Sequence, residues 1–159
     1  METSVDYIIV GLGLAGIAFA EELKKQDKSF LVYEDRSQTS SLVAGGMYNP
    51  VILKRFTPVW NAKEQLDLAL PFYASLEEKL DTSFDQQLDI YRTFKSIEEQ
   101  NNWFIASDKP LLQEFMHPEL VKVETNHVVA PFQAGRVNQT GRIKVKELVS
   151  TYRDYLKTN

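Results

Sequence analysis

Six residues, Gly11-Leu12-Gly13-Leu14-Ala15-Gly16, constrain the fold of this chain more than any others. They follow a short apolar run, Asp6-Tyr7-Ile8-Ile9-Val10, which reads as a strand apolar on both faces, as a central strand of a parallel sheet must be. They open a segment from Leu14 to Gln26 in which Leu14, Ile17, Ala18 and Leu23 recur at helical spacing, with Glu21, Glu22, Lys24 and Lys25 on the other face. After a turn at Asp27-Lys28, Ser29-Phe30-Leu31-Val32-Tyr33 reads as a second buried strand ending in Glu34-Asp35. Strand, helix and strand within about thirty residues form a right-handed βαβ unit.

In that setting the glycine spacing acquires a chemical meaning. The first glycine permits the tight turn, the second lets the backbone approach a pyrophosphate, and the third lets helix and strand pack closely. The helix N-terminus adds free N–H groups and a partial positive charge. At the end of the second strand, Glu34 can accept hydrogen bonds from an adenosine ribose, and its charge disfavours the 2′-phosphate of NADP. NAD and FAD share this half of such a site, so the fingerprint leaves both open.

The next stretch, Arg36 to Met47, reads as a Ser-, Thr- and Gly-rich loop. Its later part, Ser40-Ser41-Leu42-Val43-Ala44-Gly45-Gly46-Met47-Tyr48-Asn49-Pro50, supplies hydroxyls and then small residues. That order suits a backbone wrapped round a pyrophosphate and the edge of a flavin ring, and it equally suits an ordinary connector. Tyr48 and Asn49 could line such a pocket, or Asn49-Pro50 could simply start a turn. Lys54 and Arg55 could meet a substrate carboxylate or a reduced ring, or form an exposed basic pair.

Further along, the pattern from Trp60 to Leu80 predicts helical segments on either side of Pro71. Leu88 to Phe94, Leu120 to Val123 and Val128 to Phe132 read as strands, and Ser96 to Ala106 and Lys144 to Leu156 as helices. Trp60, Phe72, Tyr73 and Trp103 are expected in the core.

Composition removes several function classes. The 159 residues contain no cysteine and only two histidines, which excludes disulfides, thiolate chemistry and a cysteinyl flavin link and leaves no expected metal site. A formal charge of −4 and the lack of a Lys/Arg cluster argue against a nucleic-acid surface. The apolar run from Tyr7 to Ala20 is broken by three glycines and preceded by acidic residues, so neither a signal peptide nor a membrane span is expected, and a cytoplasmic protein is.

Fingerprint, Glu34, the Ser40-Ser41 pair and Ala44-Gly45-Gly46-Met47 followed by Asn49-Pro50 together resemble the N-terminal portion of the D-amino acid oxidase-like FAD-dependent oxidoreductases, the glycine oxidase and sarcosine oxidase group. The resemblance is specific over residues 6–55 and weaker from Gly135 to Leu156. It implies an α/β fold with a Rossmann-type FAD/NAD(P)-binding parallel sheet, plus part of an α+β substrate lobe. It implies FAD as cofactor, with Leu14 and Ala15 facing the pyrophosphate, Glu34 holding the ribose, Asp35 and Arg36 beside it, Ser40 and Ser41 on phosphate, and Gly45, Gly46 and Met47 along the ring. The chemistry implied is hydride transfer to flavin from the C–N bond of a small amine or amino acid. A tRNA-modifying member of the group is known, but the acidic balance here gives that no support.

Members of the group run to more than twice this length, so the chain is expected to be one incomplete domain: residues 1–55 for the nucleotide and flavin loop, 56–135 as an insertion, and 136–159 returning to the nucleotide region. An NAD-dependent dehydrogenase fragment and a non-catalytic dinucleotide-binding module are the alternatives.

Overall fold

The computed structural model describes residues 4–35, 40–125 and 127–158. It separates into two compact units, residues 1–46, 76–84 and 143–159 in the first and 47–75 and 85–142 in the second.

The first unit is built on the βαβ arrangement expected from the glycine fingerprint. Strand β1 (Tyr7–Val10) and β2 (Phe30–Tyr33) pair in parallel, with Tyr7 opposite Phe30 and Val10 opposite Tyr33. Helix α1 (Leu14–Lys25) crosses between them and ends with Lys24 and Lys25, whose charges suit the negative end of the helix dipole. It buries Ile17, Ala20 and Leu23, as its apolar spacing demands. The loop expected from Arg36 to Met47 instead contains a one-turn helix, α2 (Ser40–Val43), formed where Ser-Ser-Leu-Val precedes the small residues.

Helix α5 (Val145–Thr158) buries Val145, Leu148, Val149 and Tyr152 on one face and packs against α1 and α2. This is the helix expected from Lys144 to Leu156. The strands meet the expectation less well: of β1 only Ile9 is buried, while Ile8 and Val10 are 59% and 84% exposed. Both edges of a parallel pair need neighbours to cover its faces, and among the described residues β1 pairs only with β2.

In the second unit the core is antiparallel and closed. Strands β7 (Ile90–Thr93), β8 (Met116–Val121) and β9 (Ala134–Val137) form a sheet in the order β7-β9-β8. Helix α4 (Ile97–Ser107) starts at Ser96, whose side chain accepts from the Glu99 amide, and lays Trp103 against the sheet. Gly135 makes room for that indole, since a Cβ there would lie 2.3 Å from the ring. Phe56, Phe94 and Trp103 meet edge to face at the centre, and Trp103 Nε1 donates to the His117 carbonyl at 3.0 Å.

A smaller sheet joins β3 (Met47–Tyr48), β10 (Gly141–Ile143) and β6 (Asp85–Gln87), and β4 (Val51–Ile52) pairs with β5 (Thr57–Pro58).

Four local expectations are corrected. Residues 62–80 form a single helix, α3 (Ala62–Leu80), with Pro71 inside it, because a proline removes one backbone donor and the Leu- and Ala-rich flanks carry the helix past it. Trp60 precedes that helix and is 78% exposed, so it is no core residue. Residues 128–132 form no strand, whereas β9, which follows directly, is the centre of the sheet. The glycine in Ala-Gly-Arg-Val hides that strand from a propensity reading. Glu21, assigned to the solvent face of α1, is buried.

Candidate dinucleotide site

The candidate site lies in the first unit, where β1 gives way to α1. Gly11 has φ +86°, in the left-handed region that glycine alone enters freely, and its amide donates to the Tyr33 carbonyl at 2.8 Å. The turn is thus tied to the end of β2. A Cβ on Gly16 would stand 2.3 Å from the Gly11 carbonyl oxygen, so the third glycine is what lets α1 press onto the turn.

Helix α1 opens at Gly13, which has no side chain with which to cap it, and its first turn carries no acidic residue. Ser41 comes to this N-terminus: its Oγ accepts from the Leu14 amide at 3.2 Å and would be 2.7 Å from a Cβ on Gly13. Leu12 is buried, and its amide donates to Glu34 Oε2 at 2.5 Å. The fingerprint, the carboxylate at the end of β2 and Ser41 of the hydroxyl pair are therefore gathered round one helix N-terminus. A dinucleotide fits these residues: the helix N-terminus at Leu14 and Ala15, with Ser41 already on the Leu14 amide, would hold the pyrophosphate, and Glu34 the ribose.

Ala15, in the first turn of α1, is exposed, as are Asp35 after β2 and Ser40 at the start of α2. Arg36 lies outside the described residues. Gly46 has φ +72°, and a Cβ on it would lie 2.0 Å from the Ile143 carbonyl oxygen, while its own carbonyl accepts from the Ile143 amide at 2.9 Å. Its lack of a side chain is thus used by backbone packing within the protein. Gly45 has open space where a Cβ would be.

Met47 belongs to the second unit, is 65% exposed and pairs with Arg142. Also in that unit, the Tyr48 hydroxyl donates to Asp85 at 2.9 Å, and burial together with the Asp85 carboxylate pushes the phenol far above its ordinary pKa. Asn49 Oδ1 accepts from the Val51 amide at 3.0 Å, the turn role open to it in the sequence. Lys54 and Arg55 are exposed.

Two polar groups escaped the sequence reading. Arg153, on α5, donates from Nη2 to Glu34 Oε1 at 2.7 Å, with the two side chains 16% and 15% exposed. Glu21 accepts from the Tyr152 hydroxyl at 2.7 Å and from Lys79. Burial works to raise the Glu21 carboxyl, but the hydrogen bonds of Lys79 and Tyr152 and the charges of Lys79 and Lys24 prevail and hold it below the ordinary value. The Tyr152–Glu21 and Arg153–Glu34 pairings join residues more than a hundred positions apart, and only the helical spacing of Tyr152 among apolar residues hinted at the first. Among the described residues no helix is long and apolar enough to cross a membrane, and no cluster of His, Asp or Glu could hold a metal ion.

Residues 9–62 match the NAD(P)-binding Rossmann-like domain family. Among solved structures, glycine oxidase from Bacillus cereus ATCC 14579 is similar over 94% of this chain and 42% of its own, with 20% identity and a TM-score of 0.62. L-proline dehydrogenase from P. horikoshii is similar over 99% of this chain and 43% of its own, with 16% identity and a TM-score of 0.68. L-amino acid deaminase from Proteus myxofaciens, solved in complex with anthranilate, is similar over 99% and 37%, with 15% identity and a TM-score of 0.68. The chain thus spans less than half the length of each of these proteins. Its fold is an α/β Rossmann-like dinucleotide-binding fold shared with this set of amino-acid-related oxidoreductases, and at that level the resemblance read from the sequence is borne out.

Proposed function

We propose that this chain is the FAD-binding portion of an oxidoreductase of the D-amino acid oxidase-like group, acting on the C–N bond of a small amine or amino acid. One observation carries the reading: the Leu12 and Leu14 amides of the fingerprint are bonded to Glu34 and Ser41, which brings the expected ribose acceptor and phosphate-side hydroxyl to a single helix N-terminus. Helix amides and Ser41 bind the pyrophosphate, Glu34 accepts from the adenosine ribose, and Asp35, Arg36 and Ser40 lie beside these groups in sequence. Gly45, Gly46 and Met47 are the stretch assigned to the ring. FAD when bound supplies the hydride-accepting centre, and the protein orients it and the substrate. The substrate class is supported by the structural relatives, a glycine oxidase, an L-proline dehydrogenase and an L-amino acid deaminase, and the cysteine-free sequence suits a cytoplasmic setting.

A second reading, NAD in place of FAD, is favoured by the name of the matching domain family. A titration of the 159-residue chain with FAD and separately with NAD, followed by protein fluorescence, decides between them. FAD is expected to bind, and Glu34→Ala and Gly13→Ala each to weaken it about tenfold with the circular dichroism spectrum retained. Unchanged affinity in both variants would overturn the site.

A further inference from the structure

We propose that Arg153 is a positioning residue for the nucleotide ribose, acting through Glu34, so that α5 is part of the recognition machinery. The inference rests on the dinucleotide reading above and extends it to a residue on a distant helix.

Glu34 is held at both ends of its carboxylate. Oε2 accepts from the Leu12 amide inside the fingerprint, and Oε1 accepts from Arg153 Nη2. The terminal torsion of a free glutamate is broad, so an unrestrained carboxylate would present its lone pairs in many directions. Two anchors on different oxygens fix that torsion. Each carboxylate oxygen has two acceptor sites, and the two anchors set the direction in which those sites are presented.

The chemistry of the cation matters. A guanidinium is planar, charged at every working pH and rigid, so its Nη2 bond gives Glu34 Oε1 a directed, charge-assisted partner. The pair lies along a cleft of about 660 Å³ that Leu12, Lys24, Lys28, Leu31 and Leu156 also line. Arg153 Nε is buried and has no hydrogen-bond partner among the described residues, so the hold of Arg153 on Glu34 runs through Nη2.

The test uses the 159-residue chain, with ADP and 2′-deoxy-ADP as probes and calorimetric titration as the readout. The unaltered protein is expected to prefer ADP about tenfold, the size of one hydrogen bond to a charged group. Arg153→Gln should weaken ADP about tenfold and remove most of that preference, and Arg153→Lys, which keeps the charge and the fold but not the fork, should retain part of both. In a Glu34→Gln background Arg153→Gln should add nothing, as residues acting through one contact require, and the lost preference for ADP over 2′-deoxy-ADP is the readout that a structural tie alone would not move. Unchanged or tighter ADP binding in both Arg153 variants would overturn the inference while a weakened Glu34→Gln kept the site. If Glu34→Gln also bound ADP normally, or the unaltered chain bound no ADP, the site reading itself would fall.

Discussion

The two units solve the burial problem in opposite ways. In the second, an antiparallel sheet closes locally on α4, and Phe94, Trp103, Met116 and Val137 are all at most 1% exposed. In the first, β1 and β2 are parallel and carry Ile8, Val10, Leu31 and Tyr33 at 47% exposure or more, while polar ties join α5 to α1 and to the end of β2. Antiparallel strands can cover one face with a single neighbouring helix, whereas a parallel sheet needs cover on both. The unit that carries the nucleotide fingerprint is thus the one whose sheet is the more open.

The sharpest way to break that contrast is in the second unit. Trp103→Ala should cost about 3–5 kcal/mol, seen as a large drop in the urea midpoint, because it empties a site that Gly135, Phe56 and Phe94 are built around. A loss below about 1 kcal/mol would mean that this core is not closed.

Next in size is the polar tie of the first unit. Glu21→Gln should cost about 2 kcal/mol, since it leaves Lys79 facing a neutral group and weakens the bond to Tyr152. Its pH dependence has a definite sign. The Glu21 carboxyl titrates below its ordinary value in the folded chain, so its contribution is fully present above the unfolded pKa of about 4.3 and is lost as the pH falls through the lower folded value. The stability difference between the unaltered chain and Glu21→Gln should therefore be constant near neutrality and shrink below about pH 4. A difference that grew on acidification would contradict the pairing.

The smallest effect is expected on the open sheet. Val10→Thr should change stability by less than about 0.5 kcal/mol, because Val10 is 84% exposed. The same substitution at Val137, which is fully buried, should cost several times more. Equal costs would show that β1 is covered in solution.

What could be read in advance follows the same division. The βαβ unit was legible because its signals are local: a β-branched run, a glycine spacing that only one turn geometry uses, and a carboxylate at a strand end. Ser41 was read as a phosphate-side hydroxyl, and in the structure its Oγ accepts from the Leu14 amide. Gly46 was read for a cofactor, whereas the backbone of Ile143 accounts for its shape. Strand β9 was missed because Ala-Gly-Arg-Val lacks strand propensity and is held by its two neighbours. Glu21 and Arg153 were missed because their partners come from other helices and strands, and periodicity carries no record of a charge that is paired across the fold.

The central claim is that the first unit is a flavin-nucleotide site. The most direct measurement is the visible absorption spectrum of the 159-residue chain after incubation with excess FAD and desalting. Flavin bands retained in proportion to protein, and reduced in Glu34→Ala, are the result predicted here. A colourless protein that binds NAD under the same conditions would contradict it.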